Sequence, residues 1–122
     1  MSRCVVDASV AAKWFLPAAG ETLTDEALDL LRRYTQGQIR FLVPDLFWAE
    51  FANILWKAVR QGRWIKGAAE EALAAMQQRN LPTVPSRALL KEAFTIATTF
   101  ARTVHDGLYV ALAVSSKAPL IT

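Results

Sequence analysis

Apolar residues along this chain alternate between short continuous runs and helical spacing, and the switches predict strands alternating with helices. Cys4, Val5 and Val6 form a β-prone run, and Ala8 to Trp14 reads as the first turns of a helix stopped near Pro17. Within "ETLTDEALDLLRRYTQGQ" the apolar positions Leu23, Ala27, Leu30 and Leu31 have helical spacing, and Gly37 ends that helix. "IRFLV" is a second strand closing at Pro44, followed by a long helix over "DLFWAEFANILWKAVRQG", capped by Asp45 and ended near Gly62. "AAEEALAAMQQR" continues as a helix paired with its predecessor across "RWIKG". "LPTVP" is a short strand whose prolines favour a sheet edge. Two more helices follow in "SRALLKEAFTIATTFAR" and "VHDGLYVALAVSSK", and Pro119 leads into the strand "LIT". This alternation implies one α/β domain over residues 1–122, with a parallel sheet covered by helices on both faces.

Three carboxylates break the pattern. Asp7 stands where the first strand runs into a helix, the end of an open α/β sheet at which ligands bind. Glu50 shares a helical stripe with Phe47, Phe51 and Ile54, and Asp106 shares one with Tyr109, Val110 and Ala113. An isolated carboxylate among apolar residues is unfavourable, and positions where the pattern fails are often functional. Taken singly, each acid has a structural alternative: Asp7 or Asp106 as a helix cap, Glu50 as a residue flanking its stripe. If the three converge, an oxygen-preferring divalent cation is the simplest compensation for their repulsion. With no histidine or cysteine partner, Mg²⁺ or Mn²⁺ suits them better than Zn²⁺.

Composition narrows the class. A chain of 122 residues with 53% hydrophobic content can bury one core, and its net charge of +3 permits a polyanionic partner without requiring one. The single cysteine, Cys4, excludes a disulfide framework and a thiolate cluster, so a reducing cytoplasm is the expected compartment. Asp7 and Lys13 interrupt any secretory h-region, and no uncharged run approaches the roughly 18 residues of a membrane span.

The segments "VVDASV", "VPDLFWAEFANIL" and "VHDGLYVALA", followed by "APLIT", resemble in order and spacing the successive signatures of PIN-domain ribonucleases, particularly VapC-type toxins of toxin–antitoxin pairs. The resemblance covers essentially the whole chain. It implies a three-layer α/β/α sandwich around a parallel sheet, Mg²⁺-dependent cleavage of single-stranded RNA, a cognate antitoxin and a homodimer. Asp7, Glu50 and Asp106 match the family's first three acidic positions, Ser9 matches a hydroxyl lining the metal site, and Thr122 matches the polar residue before the fourth acid. That fourth acid would fall just after Thr122, with a further helix and strand beyond it, so the expected sandwich is truncated at its C-terminal edge. "HDG" departs from the usual aromatic-Asp-Ala wording and keeps the carboxylate.

Lys57, Arg60, Arg63 and Lys66 surround Trp64 at a helix end, a grouping that suits RNA backbone contact as well as a solvated face. His105 adjoins Asp106, but neighbours on a helix diverge by about 100°, which favours an ordinary histidine over a general base. Four tryptophans and a mean hydropathy of +0.21 point to apolar surface that a partner covers. A haloacid-dehalogenase-type phosphatase also begins with a strand-end Asp, yet its second Asp would fall where Ser9 stands. A PIN-like module that binds RNA or protein without cleavage is the non-enzymatic alternative.

Overall fold

The computed structural model describes residues 2–16 and 24–122. The expected stop at Pro17 and the helical position Leu23 lie outside them. Strand β1 (Ser2–Val6) leads into a short helix α1 (Ala8–Ala12), and α2 (Thr24–Thr35) precedes β2 (Ile39–Pro44). Helices α3 (Leu46–Arg60) and α4 (Lys66–Gln78) pack as a pair. Strand β3 (Thr83–Val84), a 3-10 turn over Ser86–Leu89, α5 (Leu90–Phe100), α6 (Val104–Ser116) and β4 (Leu120–Ile121) complete the described elements.

The sheet order is β3-β2-β1-β4, and every pairing is parallel. Successive residues Cys4, Val5 and Val6 of β1 are all buried, as are Phe41, Leu42 and Val43 of β2. Successive strand side chains point to opposite faces, so both faces of these two strands are covered, as in other parallel sheets. Phe41 stacks between Trp14, at 5.2 Å, and Tyr34, at 4.7 Å, which fastens α2 and the segment after α1 to one face. "LPTVP" forms the expected edge strand, its short ladder limited to Val43–Thr83 and Pro44–Val84.

The order also makes a topological switch. From β1 the chain moves outward through β2 to β3, then returns to β4 on the other side of β1. The crevice beyond the carboxyl ends of β1 and β4 is therefore where an open α/β sheet binds ligands. Asp7 sits at that point, its amide donating to the Ile121 carbonyl at 3.0 Å.

Two local expectations are corrected, and one alternative reading of Asp106 is ruled out. Asp45 makes no side-chain cap on α3; its Oδ1 accepts instead from the Ser86 amide at 2.9 Å and from the Ser86 hydroxyl, tying the exit of β2 to the 3-10 turn. Asp106 does not cap α6, because Thr103 does, its hydroxyl accepting from the Asp106 amide at 3.1 Å. The helix expected from Ser86 begins as a 3-10 turn after Pro85 and becomes α-helical only at Leu90.

Gly107 accounts for the unusual "HDG". A Cβ there would stand 2.5 Å from the Ala93 carbonyl oxygen, so α6 approaches the backbone of α5 more closely than any side chain allows. That approach sets the height at which Asp106 and Tyr109 meet the sheet.

Candidate active site

Each acid is held by a different local device. Asp7 caps α1 from the strand exit: its extended backbone lets Oδ1 accept from both the Ser9 amide and the Ser9 hydroxyl, each at 2.6 Å. Glu50 lies in the second turn of α3, whose rotation is fixed by the fully buried Phe47 and Phe51. Phe51 meets Phe15 edge-on at 5.9 Å, locking α3 against the segment after α1. With that stripe inward, Glu50, Asn53 and Lys57 share a flank at spacings of three and seven and line the cleft together. Asp106 is the third residue of α6, exposed at the helix start where the backbone amides favour negative charge.

The three carboxylates line one cleft, together with Ala8, Ser9, Asn53, Ile54, Lys57 and Tyr109. Asp7, Asp106 and Tyr109 also line its continuation, whose wall includes Arg102 and Thr122. Among the described residues, no three acidic, histidine or cysteine side chains are gathered tightly enough to form a ligating cluster as they stand. Two of the acids have an oxygen turned toward the protein, Asp7 toward Ser9 and Glu50 toward Tyr109. The donor set is all oxygen, three carboxylates with the Ser9 and Thr122 hydroxyls nearby, and it fits a hard cation such as Mg²⁺ or Mn²⁺ rather than a thiophilic one. Cys4 is buried in the core, where desolvation pushes its thiol up against the weaker opposing effect of Arg33, so it offers no thiolate.

Of the four basic residues of the expected RNA surface, Lys57 lines the cleft. Arg60 lies over the exposed Trp56 ring, 5.3 Å from its centroid, while Arg63 and Lys66 lie beyond the end of α3 and line neither part of the cleft. His105 is exposed and also lines neither.

Sequence reasoning missed Tyr109, Asn53 and Arg102. Tyr109 is 4% exposed and donates its hydroxyl to Glu50 Oε1 at 2.6 Å. Burial first, then the hydrogen bond to Glu50 and the charges of Glu50 and Asp7, push its hydroxyl far above the usual tyrosine value; the Ala8 amide works weakly the other way. A hydroxyl on an otherwise aliphatic stripe, three residues after an exceptional acid, was the available signal. Asn53, a polar amide three residues after Glu50, shares only that spacing.

The sequence profile described as PIN domain matches residues 4–122. Ribonuclease VapC3 from Pyrobaculum aerophilum is 31% identical over 122 residues, covering 98% of this chain and 88% of that protein. A solved toxin-antitoxin complex from Klebsiella pneumoniae superposes with a TM-score of 0.62 over 98% of this chain and 84% of its own, at 13% identity, a likeness of fold alone. The family match runs through every element that carries a cleft acid, and the chain belongs to the PIN domain family.

Proposed function

We propose that this chain is a divalent-metal-dependent endoribonuclease that cleaves single-stranded RNA, the toxin of a toxin–antitoxin pair held inactive by its cognate antitoxin. The observation that carries the reading is the meeting of Asp7, Glu50 and Asp106, from three separate elements, on one cleft at the sheet's switch point. The relative named as a ribonuclease supports the activity, and the solved toxin-antitoxin complex supports the kind of partner.

Asp7, Glu50 and Asp106 are the residues that would hold Mg²⁺ or Mn²⁺, with Ser9 and Thr122 beside them. The ion would polarise a phosphoryl oxygen and offset the charge developing in the transition state. The protein's own groups do the rest. Ser9 keeps Asp7 oriented through two hydrogen bonds. Lys57 on one wall and Arg102 on the other offer positive charge to phosphates on either side of the acids, and neither makes an ion pair among the described residues. Trp56 with Arg60 presents an aromatic face on which an unpaired base can stack, and Arg63 and Lys66 would extend the basic track.

Residues 1–122 constitute, on this reading, one PIN-like domain acting in the cytoplasm; no helix among the described residues is long and apolar enough to cross a membrane. Leu90, Phe94, Phe100 and Val114 are large exposed apolar side chains on α5 and α6, which supports a homodimer. Sedimentation over a dilution series tests that; a strict monomer at micromolar concentration refutes it.

The deciding experiment incubates purified protein with a labelled single strand and its duplex, in Mg²⁺, Mn²⁺ or chelator. Cleavage of the single strand only with metal, lost in Asp7→Asn, is the expected result. Metal-independent cleavage, or none with either ion, overturns the nuclease reading. Binding without cleavage favours a PIN-like RNA-binding module, a reading that the looseness of the acid grouping keeps in play.

A further inference from the structure

The floor of the cleft holds a phenol that is almost wholly withdrawn from solvent. Tyr109 follows Asp106 by three residues, so both side chains leave the same face of α6. Tyr109, Asp7 and Asp106 line both parts of the cleft, and the Ala8 amide, next in the chain to Asp7, lies beside the phenol oxygen. The hydroxyl itself donates to Glu50 on α3. One side chain thus touches all three acid-bearing elements.

A buried hydroxyl must find a partner, and most bond to backbone or water. Here the acceptor is one oxygen of a cleft acid, at the 2.6 Å expected of an O–H group facing a carboxylate. Phenylalanine would fill the same volume without needing any partner, so packing does not account for the oxygen. A carboxylate on a flexible two-methylene stem, pinned at one oxygen, has lost most of its rotational freedom and keeps the other oxygen for a ligand.

We infer that Tyr109 is a positioning residue: its hydroxyl anchors Glu50 through Oε1 and leaves Oε2 to meet a divalent cation. This rests on the metal-cleft reading above and adds which oxygen of Glu50 remains available and what holds it. Partners that orient a metal-binding side chain typically change metal affinity by about 10- to 100-fold.

The test is Mn²⁺ binding, read from the electron paramagnetic resonance signal of the free ion, in the parent, Tyr109→Phe, Glu50→Gln and the double variant. Tyr109→Phe should melt cooperatively, keep the parent circular dichroism and bind Mn²⁺ about 10-fold more weakly. The double variant should bind no more weakly than Glu50→Gln alone, because the hydroxyl acts only through Glu50. A folded Tyr109→Phe with the parent affinity overturns the inference, as does an equal loss in the Glu50→Gln background. An unfolded Tyr109→Phe also overturns it, since a positioning hydroxyl is dispensable to the fold. A parent that binds Mn²⁺ no better than Asp7→Asn fails at the earlier step, and the proposed metal site falls with it.

Discussion

The two flanks of the cleft are built differently. On the β1–α3 flank each acid is tied before any ligand arrives, Asp7 by two hydrogen bonds from Ser9 and Glu50 by one from Tyr109. On the α6–β4 flank Asp106 is exposed, its carboxylate makes no hydrogen bond or ion pair among the described residues, and Thr122 is exposed beside it. On the first flank only the Asp7–Ser9 tie is internal, while Glu50 is held from across the cleft by Tyr109 of α6. The second depends on where α5 and α6 place it, so changes on the two flanks should fail in different ways.

The largest expected effect is on the tied flank. Asp7→Asn removes a charge while its amide oxygen still accepts from the Ser9 amide, so the cap on α1 survives. Cleavage should fall by more than the roughly 100-fold that an indirect partner can account for. The melting temperature should stay within a few degrees of the parent, because relieved repulsion among the acids offsets the weaker cap. Asp106→Asn, on the loose flank, should lose less. A reversed order in matched RNA cleavage assays would break the distinction between the flanks.

Gly107→Ala attacks the second flank through its scaffold. The added Cβ meets a backbone carbonyl rather than a movable side chain, so α6 must shift away from α5. Overpacking of this kind is unfavourable by about 1–3 kcal/mol, against about 1 kcal/mol gained from better helix propensity. Because the Cβ meets a backbone oxygen at 2.5 Å, the upper end of that range applies, and the net loss should be roughly 2 kcal/mol, a fall of several degrees in melting temperature. Cleavage should fall further than stability alone explains, because Asp106 moves with its helix. An unchanged melting curve would mean that the close approach of α5 and α6 is not needed.

These contrasts also explain what the sequence could reveal. Strand β2, helix α3 and the edge strand β3 were readable because hydrophobic spacing and proline placement are local properties. Asp45 was misread as a cap because its actual partner, Ser86, is 41 residues away and no local pattern marks such a contact. Asp106 looked like a cap because Thr103, which performs that role, stands only three residues earlier. The three exceptional acids were visible as pattern violations. Tyr109 left only a weaker trace, a hydroxyl on an aliphatic stripe, and nothing local in the sequence says that it faces Glu50.

The Tyr109–Glu50 tie should also appear in the pH dependence of stability. The folded chain holds the Tyr109 proton far above its ordinary value of 10.0, so the folded state binds more protons than the unfolded chain in strong alkali. The stabilisation is fully present below about pH 10 and is lost as pH rises toward the folded value, by up to about 1.4 kcal/mol per pH unit from this one group. At pH 8 the parent should exceed Tyr109→Phe by about 1 kcal/mol, the net worth of a typical hydrogen bond. That gap should shrink by pH 11. Urea midpoints at the two values measure it, and a constant gap would mean that the phenol is not held protonated by its surroundings.

The smallest effect separates the two hydrogen bonds that hold Asp7. Ser9→Ala removes the hydroxyl donor and leaves the amide donor in place, so the cap and the backbone turn survive. Ser9 is exposed, and water can replace the lost donor; the stability change should stay below about 0.5 kcal/mol, as for ordinary surface substitutions. Cleavage should still fall by a few-fold, because the Asp7 carboxylate regains freedom to rotate about the one remaining bond. The loss should appear in kcat rather than KM, since Ser9 orients a cleft acid and does not itself grip the strand. A Ser9→Ala protein with normal kcat and raised KM would instead make Ser9 a substrate contact, and Asp7 would then be fixed by its backbone turn alone.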